Sequence, residues 1–366
     1  MTLTIASVNV NGIRAACKQR NENNPGMNAW LEATSADIVL MQEVRATPEQ
    51  AEKALAPALE SGWHLALADA AAKGRAGVGI LSRTPLADVE VGFGSFTDAG
   101  RWIAATTRDI RVASLYLPSG DTGSPKLDEK YRFLDEFQDI LADNAARTNP
   151  DGSPAEMVIG GDWNICHRAQ DLKNNKANEK KAGHLPEERA FMDHVFGAFP
   201  DDEPQEKKNL GQWQGVVEYA GGEPWASAAD PQWFDVARRL HPEEDGPYTW
   251  WTYRGQAFNN NAGWRIDYQA VTRPMLERAA PLAGKFVDEL SQEEVDAAIK
   301  LVDELPQFTE HMVTDIMPIL ATLDRVGPDL HELLDVTKDL RRAIDGIVPP
   351  HALNRRKLGF PVPIRY

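Results

Sequence analysis

Oxygen-bearing side chains recur at the ends of apolar segments in this chain. Asn9-Val-Asn-Gly12 closes the first β-branched run, Gln42-Glu43 the second, and Tyr116-Leu-Pro-Ser-Gly120 a later one. Met157-Val-Ile-Gly-Gly-Asp162-Trp-Asn164 and Arg265-Ile-Asp267-Tyr repeat the arrangement. Loops at the ends of strands on a rigid sheet are where sites are built. Carboxylates, amides and a phenol converging on one point suit a hard cation. Mg²⁺ takes oxygen ligands, commonly one or two carboxylates, and leaves room for water and a substrate phosphate. In that scheme Glu43 is the leading metal ligand, with Asn9 beside it. Asp162 binds metal or orients a water, and Asn164 donates to charge developing on a phosphate. Each piece also has a plainer explanation. Asn-x-Asn-Gly is ordinary turn chemistry, a Glu after an apolar run is a solvated strand end, and Tyr116 fits a core aromatic. Gly160-Gly161 before an acid is sharper, because it permits close backbone approach. The ordered set, rather than any member, carries the functional reading.

Positioning such a set requires strands. Thr2–Val10, Asp37–Val44, Gly77–Leu81, Val112–Leu117, Met157–Gly161 and Ile266–Val271 read as short, buried β-segments. Between them Asn28–Glu32, Pro48–Leu59, Asp128–Ala142 and Pro186–Phe196 have helical character, and Asp201–Asp245 is broken by Gly-Gly, Glu-Pro and Asp-Pro. The strands exceed what one parallel sheet needs, so two packed sheets flanked by helices are expected over residues 1–283. Beyond Gly284 the pattern changes. Ser291-Gln-Glu-Glu294 is a capping box, and apolar residues then recur at helical spacing to Ile347. Residues 284–347 are expected to form a helical appendage, and 348–366 a Pro-rich basic tail.

The chain has 366 residues, with 39 Lys and Arg against 55 Asp and Glu, for a net charge of -16. That argues against loose, charge-driven nucleic-acid binding. It leaves room for a nuclease, whose metal-holding carboxylates add to the negative count. The two cysteines, Cys17 and Cys166, form no C-x-x-C pair, so neither a disulfide framework nor a structural zinc site is expected. No basic-then-apolar leader opens the chain, and no apolar run reaches the ~20 residues that cross a bilayer. A soluble, cytoplasmic monomer is expected.

The same residues carry a resemblance. Asn9-Val-Asn-Gly-Ile-Arg14, Met41-Gln-Glu43, Tyr116-Leu-Pro118, Gly161-Asp-Trp-Asn164 and Asn261-Ala-Gly-Trp-Arg-Ile-Asp267 are similar, in order and spacing, to exodeoxyribonuclease III. That enzyme is an apurinic/apyrimidinic (AP) endonuclease of the endonuclease/exonuclease/phosphatase superfamily. The match runs from residue 1 to about 275. It implies a four-layer α/β sandwich and Mg²⁺- or Mn²⁺-dependent hydrolysis of double-stranded and abasic DNA, in repair. Carried over residue by residue, Asn9 and Glu43 fall in the metal site, which Asp162 and Asn164 complete. Asp162 orients the water, Asn164 stabilises the transition state, Tyr116 acts near the phosphate and Asp267 orients a catalytic His. Arg168, Lys173, Lys176, Lys180 and Lys181 form a basic stretch suited to phosphate contacts. Tyr248-Thr-Trp-Trp-Thr-Tyr253, Trp250 within it, and Trp264 supply aromatics for an abasic gap or a base.

The family's final strand, preceded by Ser-Asp-His, is not found after Asp267. The downstream histidines, His311, His331 and His351, stand in other contexts, and the one Asp-His pair, Asp193-His194, sits in a helical segment. Impaired cleavage with metal binding retained is therefore expected, and one sheet is expected to be a strand short. A non-catalytic DNA-binding protein is the alternative. A phosphoesterase acting on lipid or inositol phosphate is a third reading, disfavoured by Asn261–Asp267 and the basic stretch. His331-Glu-Leu-Leu-Asp335 lacks the second His of a zincin motif. Pro349–Ile364 is similar to a segment near the end of asparagine synthetases, without their nucleotide-binding motifs.

Overall fold

The computed structural model describes residues 2–21, 24–72, 74–199, 225–252, 254–279 and 362–365. One unit comprises Met1–Ala280 with Arg355–Tyr366. The second, Pro281–Asn354, lies outside the described residues, as do the expected helices, His311, His331 and His351.

The strands are β1 (Thr4–Asn9), β2 (Ile38–Gln42), β3 (His64–Ala68), β4 (Val78–Ser82), β5 (Ala87–Val91) and β6 (Trp102–Thr107). Then come β7 (Ile110–Tyr116), β8 (Met157–Asp162), β9 (Trp233–Asp235), β10 (Asp267–Thr272) and β11 (Val362–Arg365). They form two mixed sheets, in the orders β11-β1-β2-β4-β3 and β5-β6-β7-β8-β10-β9. β2 shows why the layers stack as they do. All five of its residues are buried. Ile38 and Leu40 join Ile103, Val112, Val158 and Val271 of the other sheet, while Val39 and Met41 pack under Leu31, Ala51 and Leu55 from the helices outside. A strand covered on both faces reads as a continuous apolar run rather than an alternating one. The opposite outer layer is aromatic. Phe133 and Phe137 of the helix Pro125–Ala145 pack with Phe93, Trp102 and Trp163 over the second sheet. The result is helix, sheet, sheet, helix: the four-layer α/β sandwich expected from the resemblance.

The expected gap in the first sheet is filled, which corrects the sequence reading. β11 pairs antiparallel with β1, Thr4 opposite Arg365 and Ser7 opposite Val362. Its sequence disguised it, because Pro-x-Pro is ordinarily read as an extended loop. β11 is an edge strand, where a proline's missing N–H can face away from the ladder.

Both cysteines are free thiols. No helix among the described residues is long and apolar enough to cross a membrane.

Candidate active site

Five strand ends meet at one rim of the sandwich. β1 and β2 run parallel with Asn9 opposite Gln42, so Asn9 and Glu43 leave the sheet side by side. β7 and β8 are parallel with Tyr116 opposite Asp162, and β10 runs antiparallel to β8 with Asp267 opposite Asp162. The close approach of β7 and β8 depends on Gly161, where a Cβ would lie 2.0 Å from the Leu115 carbonyl oxygen. The Gly-Gly-Asp signature thus has a packing cause.

The side chains converge. Asn9 Nδ2 donates to Glu43 Oε1 at 2.9 Å and to Asp162 Oδ2 at 3.2 Å. The hydroxyl of Tyr116 lies near enough to Glu43 to feel its charge, and the backbone N–H of Asn164 donates to Asp162 Oδ1 at 3.1 Å. One amide hydrogen of Asn164 is committed to the Leu117 carbonyl at 2.8 Å. Glu43 and Asn164 both stand in left-handed backbone, at φ 52°. Asn tolerates this region, but for Glu it is strained, and strain of that kind gathers at functional sites.

The electrostatics are lopsided. Burial above all, then the charge of Asp267, holds the Asp162 carboxyl well above the usual carboxylate range, with Glu43 adding to the effect. The Asn9 amide and the Asn164 N–H act against it. Burial, then Glu43 and Asp162, also raises the Tyr116 hydroxyl. Arg45 pairs with Glu43 at the solvent side. Among the described residues no three His, Cys, Asp or Glu side chains gather as a metal cluster. Glu43 and Asp162, with the Asn9 side chain between them, make this rim rich in oxygen donors of the kind a hard cation takes.

The aromatic strip borders this rim. Trp250 and Trp264 exchange backbone hydrogen bonds at 2.8 and 2.7 Å, and their rings meet edge to face at 6.1 Å. Thr249 Oγ1 accepts from the backbone N–H of Asp267 at 3.1 Å, which fixes the strip to the site. Trp250 is exposed, 38%. Lys173, Lys176, Lys180 and Lys181 are exposed as expected. Lys173 pairs with Asp245 at 3.5 Å, and its N–H bonds the Gly263 carbonyl, next to Trp264.

Arg168 departs from the expectation. It is wholly buried, and its guanidinium binds the carbonyls of Phe199 and Gly197 and the carboxylate of Asp193. A basic residue in a basic stretch reads as surface, and only the fold reveals its acceptors. Asp193, of the Asp-His pair, sits in the helix Pro186–Phe196 and takes His167 at 2.7 Å. His184, His194 and His241 are engaged with Cys166, Ala226 and Glu244.

Sequence reasoning missed Arg101, whose guanidinium lies 5.2 Å from the Tyr116 ring and donates to the Tyr116 carbonyl at 3.3 Å. The signal was Gly100-Arg101 before β6. Because β6 runs antiparallel to β7, the start of one strand lies beside the end of the other.

Comparison with known proteins agrees with this geometry. Residues 6–289 match the model of the Endonuclease/Exonuclease/phosphatase family. The chain is 30% identical over 281 residues to DNA repair nuclease APEX1 of Danio rerio, covering 75% of this chain and 74% of that protein. It is 25% identical over 279 residues to an exodeoxyribonuclease of Bacillus subtilis, covering 75% and 90% respectively. An AP endonuclease structure from Archaeoglobus fulgidus superposes with a TM-score of 0.54 at 25% identity, covering 75% of this chain and 88% of that one. A Neisseria 3' phosphatase bound to a product DNA hairpin, at 24% identity and TM-score 0.56, shares the fold. Strand ends, sheet order and sequence point the same way, and the chain belongs to the endonuclease/exonuclease/phosphatase family, among its AP endonuclease and exodeoxyribonuclease hydrolases.

Proposed function

We propose that this chain is a Mg²⁺-dependent DNA phosphodiesterase with AP endonuclease and 3'-5' exonuclease activity. The observation that carries the reading is the convergence of Glu43 and Asp162 on the Asn9 amide, with Tyr116, Asn164 and Asp267 around them. Asn9 and Glu43, with Asp162 and Asn164, would hold the cation. When bound, it supplies Lewis-acid polarisation of a phosphoryl oxygen. Asp162 orients the attacking water and takes its proton, so that a P–O bond forms to the water and one ester P–O bond breaks. Asn164 and Tyr116 donate to the phosphate oxygens as charge builds, and Asp267 fixes the orientation of its neighbours. Lys176, Lys180 and Lys181 meet the backbone phosphates, and Trp250 and Trp264 stack against the lesion or an adjoining base.

The sequence after Asp267 contains no Ser-Asp-His. Turnover below that of relatives follows, by up to the ~10²–10⁴-fold that acid–base assistance contributes. A binding-only protein is the second reading on the same observation. A nicking assay on an abasic duplex with Mg²⁺ separates them. The wild type is expected to nick, and Asp162→Asn to lose about 10²–10⁴-fold in rate while binding the duplex equally well. Equal binding with no cleavage by either protein selects the second reading.

A further inference from the structure

Lys130, on the helix Pro125–Ala145, is fully buried, and its ammonium meets three acceptors. These are Glu188 Oε1 at 2.5 Å, the Asn164 carbonyl at 2.9 Å and the Ser119 carbonyl at 3.3 Å. The ammonium donates to the two carbonyls and pairs in charge with the carboxylate. The acceptors belong to three separate segments. Ser119 follows β7 and Tyr116, and Asn164 follows β8 and Asp162. Glu188 opens the helix Pro186–Phe196, and its other oxygen accepts the N–H groups of Gly183 at 2.7 Å and Leu185 at 2.9 Å. Those amides end the segment that carries Lys176, Lys180 and Lys181.

Gly183 is seated tightly. Its φ is +95°, a Cβ would lie 3.3 Å from both the Asn164 carbonyl oxygen and the Trp264 ring, and its carbonyl accepts from Cys166 at 2.7 Å. The end of the basic segment, the backbone of Asn164 and the aromatic strip therefore touch at one point.

We propose that the Lys130–Glu188 pair positions the hydrolytic centre. It fixes the left-handed Asn164 peptide and ties it to the loop that ends the basic segment, so that engagement of DNA by the lysines and alignment of Asn164 and Asp162 go together. The proposal rests on the phosphodiesterase reading and deepens it. A charge pair buried this completely carries a desolvation cost that an apolar pair of the same volume would avoid. What the ammonium adds is the ability to hold two carbonyls and a carboxylate at once. Both residues act through Asn164, as positioning residues.

The test compares Lys130→Met/Glu188→Gln, which leaves no uncompensated buried charge, with the wild type. Two quantities are read: kcat and KM on a Mg²⁺-loaded abasic duplex, and amide hydrogen exchange of segments 162–168 and 181–185. A loss of about 10²-fold in kcat is expected, the size of effect a misplacement of about 1 Å produces. KM should stay within about 2-fold, and protection should fall in both segments together. Lys130→Arg keeps the charge but replaces a compact head with a planar fork. It is expected to change both segments and kcat by smaller factors. Unchanged exchange in the double variant, or a change confined to one segment in either variant, overturns the clamp. Raised exchange at wild-type kcat overturns its role in catalysis. A wild type that leaves the duplex intact, with exchange changing as expected, overturns the phosphodiesterase reading and the catalytic half of this proposal, while the clamp itself stands.

Discussion

Arg265 is the residue whose replacement tests the scaffold beneath the site most severely. It is 1% exposed, between Trp264 and the strand that begins at Asp267. Its guanidinium donates to Asp171 at 2.8 and 3.1 Å and to Asp235 at 3.0 and 2.7 Å, and Arg238 completes the network on Asp171 at 2.5 Å. Arg265→Met removes one of two cations facing two buried carboxylates. Breaking a buried pair in this way costs about 3–5 kcal/mol. At about 2–4 °C per kcal/mol for a domain of this size, the melting temperature should fall by roughly 6–20 °C. The acid side of the stability curve should move as well. Burial works to raise the Asp171 carboxyl, but the charge and hydrogen bonds of Arg265, then Arg238, overcome it and hold the group well below the ordinary range. A carboxyl lowered in the folded state contributes stability that is present above its unfolded value, about 3.9, and is lost as pH falls toward the folded one. Without Arg265 that folded value rises, so the variant should begin to lose stability at a higher pH than the wild type. Asp235→Asn added to Arg265→Met keeps the helix cap that Asp235 provides to Arg238 and removes the stranded charge, so part of the loss should return. Thermal melts from pH 3 to 8 measure all of this. A loss under about 1 kcal/mol with an unmoved acid limb would refute the network's role.

Two further outcomes are expected. Lys176→Ala, Lys180→Ala and Lys181→Ala combined should lower the slope of log affinity for duplex DNA against log salt by about 3, near 0.9 for each phosphate contact, measured by fluorescence anisotropy. An unchanged slope would remove these lysines from the interface. Deleting residues 362–366 unpairs the outer backbone edge of β1 at Thr4–Ser7 and should produce aggregation detectable by light scattering. A monodisperse, equally stable product would show that β11 is dispensable.

What the sequence made legible follows from how each element is buried. β2, β4 and β8, covered on both faces, are largely apolar runs, and the expected segments Asp37–Val44, Gly77–Leu81 and Met157–Gly161 end within two residues of them. β5, Ala-Asp-Val-Glu-Val, alternates like a half-buried strand yet exposes all five residues, and β9 spans only three residues. The site was legible because Asn9, Glu43, Tyr116, Asp162 and Asp267 each stand at a strand end, where position along the chain predicts position at the rim. Buried cations were not. Lys130, Arg168 and Arg265 find their acceptors in residues as distant as 94 positions, and nothing local separates them from surface charges.

The most direct test of the account is Mn²⁺ binding, followed by electron paramagnetic resonance, to the wild type and to Glu43→Gln and Asn9→Ala. One saturable site is expected in the wild type, weakened in either variant by at least the ~10–100-fold that loss of even an outer-shell partner costs. Binding that is absent from the wild type, or equally tight in all three proteins, would contradict a cation site built from these strand ends.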